Sequence, residues 1–208
     1  ANYEWFLDKL CASDIASAEA QGQSIHALLA PEIEAAFNRP SSALFHPYLF
    51  GSPYGADASA SFFGLGGWHD RGDMLRAVLE GIAFNHKIHI DALSDGFSFD
   101  RARLAGGVSR NPIVVQMFAD ILGMPVTTTE TDEAAAWGAA LCAGAGIGAY
   151  TSPESDPRDV GKIARTYYPD STRNADYRIR YDLFKDIAEA MTPLWPRIGD
   201  LAAQHSQD

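Results

Sequence analysis

The chain has 208 residues, 47% of them hydrophobic, which is enough to bury a full core and is a common length for one α/β domain. Its 16 Lys and Arg against 27 Asp and Glu leave a formal charge of -11, whose long-range field repels nucleic acid and anionic membranes, although a local nest of N–H groups can still hold a small phosphorylated ligand. No apolar run is long enough to span a bilayer, no basic stretch leads into an apolar one at the N-terminus, and Cys11 and Cys142 lack CxxC spacing, so we expect two buried, unpaired thiols and a cytoplasmic location.

The sequence opens on Ala1 rather than Met and is helix-like from Tyr3, so it reads as one domain and as a piece of something longer. Residues 2 to 20 predict one amphipathic helix with Trp5, Phe6, Leu10 and Ile15 on its apolar side. A second helix is predicted over Ser24 to Phe37, ended by a break at Asn38 to Ser42. Leu44 to Phe50 is strand-like, but Pro47 restricts it to an edge or an irregular segment. Gly51 to Gly67 reads as a loop with at most short strands around Phe62 and Phe63.

Arg71 to Leu93 is the longest periodic segment, with Leu75, Val78, Leu79, Ile82, His86, Ile90 and Leu93 marking one face of a central helix. A strand near Arg101 to Ala105, a glycine turn at Gly106 and Gly107, and a helix from Pro112 to Leu122 follow, with Gly123 as its C′ residue. Pro125 to Thr129 is a second strand by propensity. Glu133 to Ala145 reads as a small-residue helix able to pack closely on a sheet, and the strand, helix, strand, helix order implies a parallel pair. Asp176 to Leu201 predicts a last amphipathic helix interrupted near Pro193 and Pro196.

The most informative stretch is Leu104 to Gly123. Two glycines directly after a strand permit a positive φ and a close approach of backbone to ligand. Asn111 and Pro112 make a good N-cap and first-turn pair, and the resulting helix N-terminus suits an anionic or nucleotide ligand. From spacing alone a plain capped βα turn accounts for the same residues, and the GxGxxG fingerprint is absent. Gly144, Gly146 and Gly148 follow a helix instead of a strand and read as a loosened helix end. His86 and His89 lack a third ligand at a diagnostic spacing, and His86, on the apolar face, reads as a packed or hydrogen-bonded histidine. Glu130, Asp132 and Glu133 suit a helix cap better than a magnesium site, and Cys142 has no base or cation nearby in sequence to activate it.

Four segments together resemble the C-terminal domain of the FGGY carbohydrate kinases. Phe62-Phe63-Gly64-Leu65 is similar to the family's FFGL strand end, and Leu75 to Phe84 to its RAVLEGIAF helix. Gly106 to Pro112 with Ala119 to Gly123 resembles the adenosine motif and its helix, and Glu133 to Ala140 the E-x-x-A-x-G-A-A helix. Their common order is far more specific than any one of them.

The resemblance implies an actin-like, ribonuclease-H-like α/β fold with a mixed sheet flanked by helices, and two such domains closing around ATP, Mg2+ and a sugar. Residues 1–208 would be the single C-terminal, nucleotide-binding domain. Gly106 and Gly107 would lie against the nucleotide near the α-phosphate and ribose, and Asn111 would reach the adenine. Glu4 matches a nucleotide-contacting position, where a carboxylate has to meet base or ribose because it would be repelled by phosphate. The family's catalytic aspartate and its two phosphate loops, the first with the pattern DxGT, have no counterpart here, so the sugar, most of the magnesium binding and the catalytic base fall to an N-terminal domain outside the sequence. The isolated chain is then expected to be inactive. Phe45 to Gly51 and Gly67 to Asp73 lean towards pentulose, particularly L-xylulose, kinases. ATP or ADP, the sugar and a second copy of the chain are the partners considered. The other readings are a non-catalytic nucleotide-sensing or interaction domain and a different nucleotide-dependent member of the actin-like superfamily.

Overall fold

The computed structural model describes residues 2–131, 133–155 and 162–204. The chain divides into two compact units, one from Ala1–Ala92 with Arg178–Asp208 and one from Leu93–Tyr177.

The first unit opens on α1 (Asn2–Leu10), α2 (Ala12–Ala20) and α3 (Ile25–Phe37). The single helix predicted over 2–20 is broken at Cys11, whose backbone leaves the helical region at φ -124° and ψ 29° and whose side chain is fully buried. The buried face of α1 is Tyr3, Phe6 and Leu7, so of the predicted stripe Phe6 is buried while Trp5 and Leu10 are exposed. Ser24 caps α3, its hydroxyl accepting the N–H of Ala27 at 3.2 Å.

Strands β1 (Leu44–His46) and β2 (Ser61–Phe63) form an antiparallel pair, β1 stopping immediately before Pro47 as the missing donor requires. Helix α4 (Arg71–Ser94) is central: Leu75, Val78, Leu79 and Phe84 are all buried. Gly81 lets α4 approach β1, since a Cβ there would collide with the Phe45 carbonyl. The second half of α4 emerges from the core, so His86 and Leu93, both expected on the apolar face, are exposed.

The buried Glu80 carboxylate of α4 accepts from Arg76 Nε at 2.7 Å and from Arg180 Nη2 at 2.6 Å. Both guanidinium groups also donate to backbone carbonyls, Arg76 to Ala36 near the end of α3 and to Arg39, and Arg180 to Ser41 and Ala43, so the buried Glu80 charge is met by two hydrogen-bonded cations. The final helix is two helices, α7 (Ser171–Met191) and α8 (Trp195–Gln204), separated at Pro193 as predicted. Pro196 lies in the first turn of α8, where no N–H is needed.

The second unit holds β3 (Ala102–Arg103), α5 (Pro112–Leu122), β4 (Val126–Thr129), α6 (Ala134–Gly146) and β5 (Ile163–Tyr167). The sheet is mixed, in order β3-β4-β5: β3 and β4 are parallel, as the strand and helix order implies, and β5 adds antiparallel to β4. Strand β5 escapes the sequence reading because Ile163 to Arg165 are exposed and only Tyr167 is buried, which leaves too little alternation to read. Helix α5 has the predicted bounds, ending at Gly123 with φ 68°.

Helix α6 forms where expected, but its predicted packing on a sheet is not seen among the described residues: none of its residues is buried. Cys142, on this helix, is consequently exposed, contrary to the buried thiol expected; Cys11 is buried as expected, and neither is in a disulfide. Among the described residues no helix is long and apolar enough to cross a membrane.

Candidate functional site

Everything that shapes the glycine turn follows from a few residues between β3 and α5. Gly106 adopts φ 85° and ψ -168°, a backbone region closed to side chains with a Cβ. The chain then makes one 3-10 turn from Gly107 to Arg110, and the Gly106 carbonyl accepts both the backbone N–H of Ser109 at 3.0 Å and its hydroxyl at 2.7 Å. At Asn111 the backbone becomes extended, and its Oδ1 accepts the N–H of Ile113 at 3.0 Å and of Val114 at 3.4 Å. Two of the orphan donors of the helix start are thereby satisfied, and Pro112 at N1 has none to satisfy.

A Cβ added to Gly106 or Gly107 would meet nothing within 4 Å. Gly106 is explained by its dihedral. Gly107 is not: it has no positive φ, it is exposed, and no neighbour would touch a side chain there. Open space therefore borders the turn on the side of Gly107, next to the capped helix.

The helix behind the turn is anchored by hydrogen bonds near its C-terminal end. Asp120 near the end of α5 is buried and accepts from the Asp170 N–H at 2.8 Å, Arg173 Nε at 2.6 Å and Gln116 Nε2 at 2.9 Å, while Asn174 Nδ2 donates to the Asp120 carbonyl at 2.7 Å. The Arg173 guanidinium beside Asp120 is held more strongly protonated by this hydrogen bond. Sequence reading missed this cluster, although the carboxylate at Asp120 inside an otherwise apolar helix is its visible signal. It also missed the exposed ion pair of Arg110 with Glu133 at 2.9 Å, which ties the turn to the start of α6.

Gly106, Gly107 and Asn111 are thus brought together. Glu4 belongs to the other unit, in the first turn of α1, with an exposed carboxylate 3.9 Å from His26 Nε2. Of the acidic group expected to cap α6, Glu133 stands at the N-cap position without a side-chain capping bond, because its carboxylate goes to Arg110; Glu130 pairs with Lys162 at 2.8 Å. Asp132 lies outside the described residues. Among the described residues no group of three or more His, Cys, Asp or Glu is placed to hold a metal ion. Gly144 lies at the end of α6 under the ring of Tyr150, consistent with a helix end.

Residues 1–147 match the family model described as the FGGY family of carbohydrate kinases, C-terminal domain. The chain is 30% identical over 155 residues to the L-xylulose/3-keto-L-gulonate kinase of Escherichia coli (strain K12), covering 74% of this chain and 31% of that protein. It is 34% identical over 149 residues to the xylulose kinase of Bacillus subtilis (strain 168), covering 69% of this chain and 30% of that one. Among solved structures, the xylulose kinase from Rhodospirillum rubrum superposes with a TM-score of 0.70 at 27% identity, covering 93% of this chain and 38% of that chain. The chain therefore spans about a third of the length of these relatives.

Proposed function

The chain belongs to the FGGY family of carbohydrate kinases, whose C-terminal domain it carries, and on that premise we propose that it is the ATP-binding half of a kinase phosphorylating a ketose or polyol, a pentulose by preference. Its fold is the actin-like, ribonuclease-H-like α/β fold of those kinases. Relatives named as kinases favour catalysis by the full-length protein over a nucleotide-sensing or interaction role.

The observation that carries the reading is Gly107. Neither dihedral nor packing asks for glycine there, so the open space beside it is best explained by a ligand that approaches the backbone closely. We assign Gly106 and Gly107 to the α-phosphate and ribose side of the nucleotide. Because Asn111 Oδ1 is committed to the helix cap, the part of Asn111 that reaches the adenine is its Nδ2, as a hydrogen-bond donor.

In the reaction, a substrate hydroxyl oxygen attacks the γ-phosphorus, the bond to the β,γ-bridging oxygen breaks, ADP leaves, and the hydroxyl proton passes to a base. Such transfers depend chiefly on positioning and on stabilising the charge of the phosphates. The residues of this chain supply the positioning of the adenosine end. Mg2+, the sugar and the base we assign mainly to the other lobe of the full-length protein, which we place in the cytoplasm.

Calorimetry with ADP on the full-length protein tests the site. Gly107→Leu is expected to weaken binding at least about tenfold, equivalent to about 1.4 kcal/mol. An affinity indistinguishable from wild type sinks the assignment.

A further inference from the structure

Glu133 is placed in a way that helix stability does not explain. It stands at the N-cap position of α6, where a carboxylate turned to the helix would face its orphan N–H groups and the positive end of its dipole. No such bond forms. The side chain turns away from α6 and accepts from Arg110 Nη2 at 2.9 Å, with both partners exposed, and an ion pair in water adds little stability. The backbone of Glu133 is held in place, its N–H donating to Thr131 Oγ1 at 3.4 Å.

The direction in which Glu133 turns points to the nucleotide site. Arg110 closes the 3-10 turn that begins at Gly107 and is followed directly by Asn111, so the carboxylate it holds belongs to the surroundings of that turn. Only one oxygen of Glu133 is used: among the described residues Oε2 has no partner. A carboxylate accepts hydrogen bonds, donates none and is repelled by phosphate. The donors that ADP offers are its two ribose hydroxyls and the exocyclic amine of adenine. In chain order Arg110 lies between Gly107, given to the phosphate and ribose side, and Asn111, given to the adenine, so its partner falls at the level of the ribose. The Arg110 cation also offsets the negative charge that would otherwise oppose the nearby phosphates.

We propose that Glu133 is a specificity-determining residue of the kinase, its second oxygen accepting from the ribose hydroxyls and thereby selecting ribonucleotides over deoxyribonucleotides. The proposal rests on the reading of the glycine turn as the nucleotide site. Arg110 is then a positioning residue, acting through the carboxylate it holds.

Calorimetry on the full-length protein compares ADP with dideoxy-ADP, which lacks both ribose hydroxyls, and with inosine diphosphate, which lacks the exocyclic amine. The wild type is expected to bind ADP about tenfold more tightly than dideoxy-ADP, as for one hydrogen bond to a charged group. In Glu133→Ala that ratio is expected to fall to about one; any general change in phosphate attraction when Arg110 loses its partner cancels in the ratio. A wild type that binds both equally, or a Glu133→Ala variant that keeps the full ratio, overturns the proposal. So does a variant that keeps the ribose ratio and loses only the preference for ADP over inosine diphosphate, because the carboxylate then faces the base. The two readings fail separately: if Gly107→Leu weakens ADP and dideoxy-ADP together while Glu133→Ala leaves their ratio unchanged, the nucleotide site stands and Glu133 is removed from it. ADP binding indifferent to Gly107→Leu removes both.

Discussion

The Oδ1 of Asn111 accepts the backbone N–H of Ile113 at 3.0 Å, so one atom of this side chain is spent on holding α5 and only the amide nitrogen is left for a ligand. The two roles separate by substitution. Asn111→Ala is expected to lose about 1 kcal/mol of stability along with nucleotide affinity. Asn111→Asp keeps the capping oxygen but replaces the donor with a charge, so the urea midpoint stays near wild type while ADP binding weakens. Equal ADP affinity for Asn111→Asp and wild type rules out the adenine contact.

The two glycines of the turn are expected to respond in opposite ways. Gly106→Ala forces a Cβ into φ 85°, costing about 1–2 kcal/mol. Gly107→Ala has room for its methyl group and no positive φ, so the thermal midpoint is expected to be unchanged and the loss to fall on nucleotide affinity. A large fall in stability for Gly107→Ala shows that glycine serves the turn itself.

Asp120 ties α5 to the start of α7 through the Asp170 N–H and Arg173. Asp120→Ala leaves these donors without their acceptor, at an expected cost of about 2 kcal/mol, below the range for fully buried pairs because Arg173 is half exposed. Urea unfolding followed by circular dichroism measures it, and a change under a few tenths contradicts the bracing role.

The buried His46 donates from Nε2 to the Phe184 carbonyl at 3.0 Å and is packed against the rings of Tyr48, Phe63, Phe184 and Trp195. Burial among neutral aromatic groups pushes its pKa down from 6.5 to about 4. Between these values the unfolded chain binds the proton and the folded chain does not, so the contribution is complete above pH 6.5 and is lost as pH falls towards 4. Over that window stability is expected to drop by about 3 kcal/mol. Removing the imidazole in His46→Leu should flatten this part of the pH profile, and a profile as steep as wild type places the titrating group elsewhere.

Local rules were legible where local physics decides. The Asn-Pro start and glycine end of α5 follow from backbone donors and φ, and β1 stops at Pro47 because proline has no N–H. The cluster of Gly106, Gly107 and Asn111 was readable for the same reason, all three lying within six residues of chain. Strand β5 and the break at Cys11 were not, because an exposed edge strand and a one-residue departure from helical backbone leave no periodic trace.

The order of segments by itself determined the family resemblance and the bounds of the site helix, because capping, turn formation and helical periodicity act between near neighbours. Only the tertiary structure decided that Gly107 faces open space, that Asp120 is gripped from fifty residues away, and that, among the described residues, no residue of α6 is buried and Cys142 is exposed. Those depend on which distant atoms fill or leave the surroundings of a residue, and packing of that kind is a property of the folded chain.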